Sequence, residues 1–552
     1  MKRLTLVSTL FIIVTMTAVL IPTVVGSQGS YALQGAETRI TTSLADQYDP
    51  AISGNIVVYT DNRVYDNDIW YYNLSTGIEA PVTTAVGDQQ LPDVCDGLVV
   101  YTDYATIDVQ LFSVADGTTT NLTGAAKSSS GAPGIGQGLV AWEDNRDGNL
   151  EIYARNLATG EERRITNSPA FDQRPRVNNG VIVWQSSVNN ISYICDIYSY
   201  DWASGTTRQI TATPLDDERD PDVFGNYVVY DGLRNGNRDI YLFDLTIGTE
   251  KVLSMPGDQV RPNISGEFVA FEDVSTGLYH VMLWHLPTGK VFDLTAAANG
   301  PPATAGQYLN DIDGNRVVYT DDRNGQLDIY MYQFTVVSPS IQVSPQLVNF
   351  GDVEKGKSTM AIVSISNTGQ LDLNLTGVSL TADSSSAFSI TSAPAAPIPP
   401  GGSADVTIIF APTAVGSFSG TLQVNSDDPY HGTVQVPLSG NGIVKEEPPE
   451  QQIQGILQFF DDSVNKGILP GSGPGNSANN RRAALRNMIE AAGDLIHDGN
   501  IAAACQQLYD AYQKTDGQPQ PPDFVTGSAA PDLASRILKL MQTLGCPQCN
   551  GL

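Results

Sequence analysis

Histidine is scarce in this chain: His280, His285, His431 and His497 are the only four among 552 residues, and they fall in three separate regions. There is also no Gly-x-Ser-x-Gly elbow, no His-Glu-x-x-His and no glycine loop for phosphate. Nucleophilic triads, zinc peptidase chemistry and nucleotide hydrolysis therefore lack their residues. Hydrolysis by paired carboxylates needs no histidine, and 60 acidic residues make such pairs unavoidable by chance. Basic residues are the second shortage, 30 Lys plus Arg against 60 Asp plus Glu, for a net charge of -30. Such a chain repels phosphate backbones, and no basic stripe interrupts it, so nucleic acid is not expected as a partner. Cysteine is the third. Cys95 and Cys195 stand far apart, while Cys505, Cys546 and Cys549 cluster near the C-terminus. The lone Cys-x-x-Cys has neither a second pair nor a histidine cluster for zinc, and no βαβ context for redox work. In an exported chain a Cys505 bridge to Cys546 or Cys549 is the natural pairing.

Export is expected from the first residues. Lys2 and Arg3 precede an apolar run from Leu4 to Gly26. Ser30 and Ala32 suit the -3 and -1 positions of a signal-peptidase site. The run is also long enough to stay as an uncleaved anchor, the only membrane contact expected. Either way the remainder is extracellular or on the cell surface.

The stretch from Asp46 to Gly77, DQYDPAISGNIVVYTDNRVYDNDIWYYNLSTG, returns from Asp217 to Gly248 with thirteen of 32 positions identical. A proline recurs at Pro50, Pro92, Pro133, Pro175, Pro221 and Pro262, with Asn310 in its place in a seventh copy. After each comes an apolar run (IVVYT, LVVYT, LVAWE, VIVWQ, YVVYD, FVAFE, RVVYT), and most copies add a second such as DIWYYNL or DIYLFDL. These are short β-branched and aromatic strands with Gly or Asn turns. Four strands in a repeat of this length make a propeller blade. The seventh copy lacks its fourth strand, and Glu37–Thr41, ahead of the first copy, has the RRIT-like pattern that completes it and closes the ring.

These repeats resemble TolB-like (PD40-type) β-propellers, in the proline, a degenerate Ser-Pro-Asp-Gly-like turn and the Asp-Ile-Tyr strand. The resemblance implies the fold; it does not imply a Tol-Pal role, since that family's N-terminal α/β domain has no counterpart here. Past Ser338-Pro339-Ser340 the period stops. Residues 341–442 alternate strands and turns like a β-sandwich without an antibody signature. The phrases NFGDVEKG, ISNTG, FAP and VNSDDP resemble ASPM/SPD-2/Hydin-type immunoglobulin-like modules. Lys445–Gln452 is charged and proline-containing, as expected of an extended linker. Apolar positions then take a helical period, with helices expected from Ile453, around Ala483–Ile496, from Ile501 and over Pro531–Leu544. This tail resembles small FIMAH-type helical domains. The expected chain is thus multidomain and mainly β: a signal peptide or anchor over 1–32, a seven-bladed propeller over 37–337, an Ig-like sandwich over 341–442, a linker over 443–452 and an α-helical domain over 453–552.

Two acidic sets are candidates for chemistry. Four residues before the repeat proline stand Asp46, Asp88, Asp172, Asp217 and Asp258, with Ser129 and Gly306 in the third and seventh copies. Converging at a channel mouth, five carboxylates would suit a metal ion such as calcium or a basic peptide. Recurrence once per repeat equally fits residues that cap turns or bind the neighbouring blade's backbone, and this reading is favoured. The second set is the hairpins DNRVYDND, DNRDGNLE, LRNGNRD and DDRNGQLD. There Arg63, Arg146 and Arg323 stand where a calcium loop needs a ligand, and turn chemistry explains the Asn and Gly. No cofactor is expected; calcium is the one ion these patterns would suit. Asn73, Asn121, Asn190, Asn263 and Asn374 open Asn-x-Ser/Thr sequons. The leading functional reading is an exported, non-catalytic binding or scaffold protein recognising an extracellular protein or glycan. Its rivals are a carbohydrate- or peptide-active hydrolase or lyase, and a structural envelope or surface-layer component.

Overall fold

A computed structural model describes residues 23–25, 31–124, 130–187, 194–213, 215–295, 305–395 and 397–549. Most of the apolar run of the expected signal segment, Ser129 and Asn190 lie outside the described residues.

Seven antiparallel sheets follow one another around a ring. Their inner strands are Gln47–Ser53, Gln89–Cys95, Ser130–Gly136, Asp172–Asn178, Asp217–Phe224, Gln259–Ser265 and Gln307–Asp313, here blades 1 to 7. Blade 1 shows the plan, running outward through Ile56–Asp61, Asp68–Asn73 and Ile78–Pro81. The second strands supply the wholly buried layer, with Val58, Tyr59, Trp142, Val229, Tyr230, Phe271 and Tyr319 all at 0% exposure. The proline of each repeat falls in a register shift of its inner strand, between Tyr48 and Ala51 in blade 1 and between Gln173 and Arg176 in blade 4. A residue without an N–H costs nothing where the ladder is already interrupted, so the repeated proline marks a repeated β-bulge.

The fourth strand of blade 7 is Ala32–Arg39, paired from Ala32↔Val337 to Arg39↔Tyr330. It starts five residues before the expected Glu37, because Tyr31, Ala32 and Leu33 are themselves buried. Glu37 then fastens the closure by accepting hydrogen bonds from Tyr319 and from Arg323 at 2.7 and 2.8 Å. Thr23–Val25 lies beside it as a fifth strand.

The next region is a sandwich of two four-stranded sheets. One holds Ile341–Ser344, Thr359–Asn367, Ser403–Phe410 and Phe388–Ser392. The other holds Val348–Glu354, Thr433–Ile443, Gly416–Ser426 and Leu375–Leu380. Val363, Ile365, Val406, Ile408, Phe410, Leu422 and Val424 form its dry centre. Four helices end the chain: α1 (Pro449–Asn465), α2 (Asn476–His497), α3 (Ile501–Tyr512) and α4 (Ala530–Thr543). Helix α1 begins inside the stretch expected to be linker, since a proline at the first helical position is pre-set for the helix and loses no bond. Cys505 of α3 is bonded to Cys546 just after α4, and Cys549 is free.

Propeller and sandwich meet around His285. Its fully buried ring stacks on Tyr31 at 4.5 Å, lies 5.0 Å from Phe268 and meets Tyr430 of the sandwich edge-on at 6.4 Å. Nδ1 is 2.8 Å from Thr288 Oγ1, and Nε2 is 3.6 Å from the Glu267 carboxylate. Burial pushes the His285 pKa down, against the pull of Glu267. Folding therefore favours the neutral ring, and this contribution is complete above pH 6.5 and is lost as the pH falls below it. Titrating the urea midpoint from pH 7.5 to 5 should show a fall that is shallower in His285→Phe; equal slopes would remove the histidine as its source.

Blades 3 and 4 approach each other through glycine. A Cβ on Gly136 would lie 2.3 Å from the Val177 carbonyl oxygen, whereas one on Gly131 would meet only Thr102, at 3.5 Å. Gly136→Ala should therefore cost about 1–3 kcal/mol in chemical denaturation by overpacking, and Gly131→Ala much less.

Candidate functional site

In every blade the bulge leaves the residue before the proline, or before Asn310, in the left-handed region. Asp49, Leu91, Ala132, Arg174, Asp220, Arg261 and Leu309 have φ between 44° and 57°. Such a residue is strained, and its amide cannot join the ladder. In five blades a side chain from the preceding blade takes the amide instead, Asp231 Oδ2 for example accepting from Arg261 N at 3.2 Å. Ala132 N donates to Thr102 Oγ1 (3.0 Å), Arg174 N to Glu143 Oε1 (2.8 Å), Asp220 N to Gln185 Oε1 (3.1 Å), and Leu309 N to Glu272 Oε1 (2.6 Å). The acceptors occupy one repeat position, just after the aromatic residue of the second strand: VVYT, VAWE, VIVWQ and VAFE.

One step further along, after the proline, the side chains face the channel. Asp93, Asp222 and Asp311 reach across to the next blade, accepting from Ile135 N (2.9 Å), Ile264 N (2.8 Å) and Ile52 N (2.8 Å). Asp93 and Asp311 also accept from their own following amides, of Val94 and Ile312, both at 2.8 Å. Blade 4 puts Arg176 at this position, and blade 3 offers only Gly134 beside it. All of these but Gly134 line a channel cavity of about 750 Å³. Arg176 makes one long hydrogen bond, 3.4 Å to the Pro175 carbonyl, and the Asp93, Asp222, Asp311 and Asp49 carboxylates hold its pKa up against burial. Burial dominates for the carboxyls. It raises Asp49 and Asp93, lifts Asp222 to about 6 despite its amide bonds and Arg176, and lifts Asp311 to about 8 with help from the Asp93 charge.

At the end where the inner strands begin, Leu91, Tyr104 and Ile107 line the cavity and are exposed. Arg174 and Asp220 form an ion pair there, and Arg261 binds Glu272 at 2.8 Å. The antiparallel register puts the hairpins between second and third strands at this same end, and they expose Val64, Tyr65 and Tyr279.

The five aspartates expected to ring the mouth are not among the cavity-lining residues. Four of them bind the preceding blade's backbone, Asp46 through Leu327 N (2.9 Å), Asp88 through Asn67 N (3.0 Å), Asp217 through Cys195 N (3.2 Å) and Asp258 through Arg238 N (2.9 Å). Asp172 instead accepts from Trp184 Nε1 (3.1 Å) and Ser168 Oγ (3.2 Å). Four residues before the proline the strand has not yet reached its bulge, so these side chains meet the neighbouring hairpin rather than the channel. The hairpin arginines have a structural partner set as well. Arg63 binds Asp61 and Glu79, each at 2.6 Å, and lies 3.8 Å over the Trp70 ring. Arg146 pairs with Asp144 and Glu162 over Tyr153, and Arg323 with Asp321 and Glu37 over Tyr330. Among the described residues no group of three or more His, Cys, Asp or Glu is placed to hold a metal. Asn263, which opens a sequon, lines the cavity and donates to the Asn310 carbonyl at 2.7 Å.

Residues 339–441 match the model of the HYDIN/CFA65/VesB-like Ig-like domain, in keeping with the resemblance read from NFGDVEKG and VNSDDP. No curated protein matches the chain in sequence. Among solved structures, an oligogalacturonate lyase in complex with manganese is similar at 11% identity and a TM-score of 0.42, over 57% of this chain and 96% of that one. The β-propeller domain of the trilobed protease from Pyrococcus furiosus aligns at 13% identity and a TM-score of 0.41, over 53% of this chain and 96% of that one. TolB from Acinetobacter baumannii aligns at 17% and 0.32, over 56% and 81%. At such identities the likeness is one of fold.

Because Asp311 is favoured in its protonated form when folded, its contribution is full below pH 3.8 and is lost as the pH rises toward about 8. Between pH 5 and 8 the urea midpoint of Asp311→Asn should therefore fall less steeply than that of the unaltered chain. Parallel curves would show that Asp311 is ionised throughout.

Proposed function

We propose that this chain is an exported, non-catalytic binding and scaffold protein, with the end of the propeller where the inner strands begin as its recognition platform for an extracellular protein or glycan. One observation carries the reading: exposed apolar and aromatic side chains, Leu91, Tyr104 and Ile107 of blade 2, border a polar cavity at that end, and Tyr65 and Tyr279 are exposed on the hairpins of the same face. Exposed apolar groups rimming a concave polar site are the usual mark of a binding surface. The N-terminal Lys2-Arg3 and apolar run support export, and the sandwich and helices would then space and present the propeller.

A second reading, a carbohydrate-active hydrolase or lyase, has a specific observation in its favour. Asp311 is raised to about 8, as a general acid requires. Against it, both Asp311 oxygens accept backbone amides at 2.8 Å, bonds that favour the ionised form and oppose the protonated acid the reaction needs.

A peptide and glycan array probed with the full chain separates the two. Binding without shortened products, weakened by about tenfold or more in Tyr104→Ala, is the expected result; release of cleaved oligomers from a bound ligand would establish the enzyme instead.

A further inference from the structure

We propose that the channel receives a lysine or arginine side chain, carried on an extended segment of a partner protein that seats on the apolar side of the rim. This deepens the binding reading above and rests on it. Three observations lead to it: the charge inside the cavity, the acceptor sites its carboxylates leave unused, and the apolar side of its opening.

Charge inside the cavity is unbalanced. Arg174 is committed to Asp220 and Arg261 to Glu272. That leaves Arg176 as the cation beside four carboxyl groups, Asp49, Asp93, Asp222 and Asp311, of which Asp311, raised to about 8, is held protonated at neutral pH. Asp93, Asp222 and Asp311 each give one oxygen to a next-blade amide, and Asp93 and Asp311 give the other to their own following amide, but an ionised carboxylate carries about four acceptor sites. The channel therefore has unused acceptors for a second guanidinium or ammonium, and burial strengthens any charge-assisted bond formed there.

One side of the rim is apolar while the interior is not. Leu91, Tyr104 and Ile107, all of blade 2, border the opening there and are exposed by 37%, 47% and 43%. A bare metal ion or a small polyamine gains nothing from such a border, whereas a peptide bearing an apolar residue beside a basic one does. The volume, about 750 Å³, suits a few residues of extended chain. At long range the -30 net charge of the chain steers basic partners toward it and anionic ones away.

The test uses the full chain and acetylated, amidated pentapeptides Ala-Leu-Arg-Leu-Ala, with Gln or Glu substituted at the centre, followed by calorimetry. The arginine peptide should bind more tightly than the glutamine peptide by about tenfold or more, with affinity falling as salt rises. The glutamate peptide should bind more weakly than both. Asp93→Asn with Asp222→Asn should abolish the preference for arginine. Arg176→Gln should tighten the arginine peptide several-fold by removing the competing cation, a gain that a misfolded variant would not show. Equal binding of the arginine and glutamine peptides, preference for glutamate, or no binding of any of the three overturns the channel proposal. The binding reading itself fails separately, if the array yields no ligand or yields a ligand that is cleaved; a glycan ligand undisturbed by the arginine peptide would retain it while refuting the basic-segment inference.

Discussion

The blades of this propeller do not share a backbone ladder, and most of what is specific to the molecule follows from that. Inner strands that splay around a channel leave amides pointing at the neighbouring blade with no carbonyl to receive them, and a buried unpaired amide costs about 1–3 kcal/mol. Seven blades would accumulate a cost larger than the stability of a typical domain. Side chains supply the missing acceptors. Asp93, Asp222 and Asp311 bridge consecutive inner strands, and Glu143, Gln185 and Glu272 hold the bulge amides. The acidity of the propeller is, in this respect, a device for tying blades together.

That constraint also shapes the candidate site. A carboxylate held by two amides cannot swing to a ligand, so the channel is preorganised and its selectivity depends on what remains after the backbone has been served. What remains is spare acceptor capacity and one guanidinium, Arg176, on the strand that packs against Gly134. A Cβ at Gly134 would lie 2.7 Å from the Pro175 carbonyl oxygen, so the glycine is needed for the approach of the two strands before it is of use to the channel. Close packing of blades 3 and 4 and the placement of the channel's cation are one feature seen from two sides.

The fold was legible because its signals repeat. Proline in the bulge, an aromatic residue in the second strand and Asp before Ile-Tyr return at a fixed period, and the unpaired Glu37–Thr41 stretch identified the strand that closes the ring. The site was less legible for the opposite reason. The position after the proline reads Ala51, Asp93, Gly134, Arg176, Asp222, Asn263 and Asp311. It lines the channel in six of the seven blades, all but that of Gly134, yet it varies, so a search for recurrence passes over it and settles on Asp46 and its equivalents. Those recur because each meets the same neighbouring hairpin. Recurrence marks what every blade needs, and variation at a fixed structural position marks what the ring as a whole can do. The start of α1 escaped notice for a local reason: in KEEPPEQQ the prolines suggest an extended linker, although the second of them opens a helix.

The closure strand ties this architecture to the rest of the chain. Tyr31, immediately before Ala32–Arg39, stacks on His285, and His285 meets Tyr430 of the sandwich. The same few residues thus finish the last blade and seat the next domain. Ala32 is buried and pairs with Val337, so a cut after Ala32 would strip Tyr31 from the stack and free the end of the strand. A segment that reads in sequence as the tail of a leader is in physical terms part of the last blade and of its seam with the sandwich.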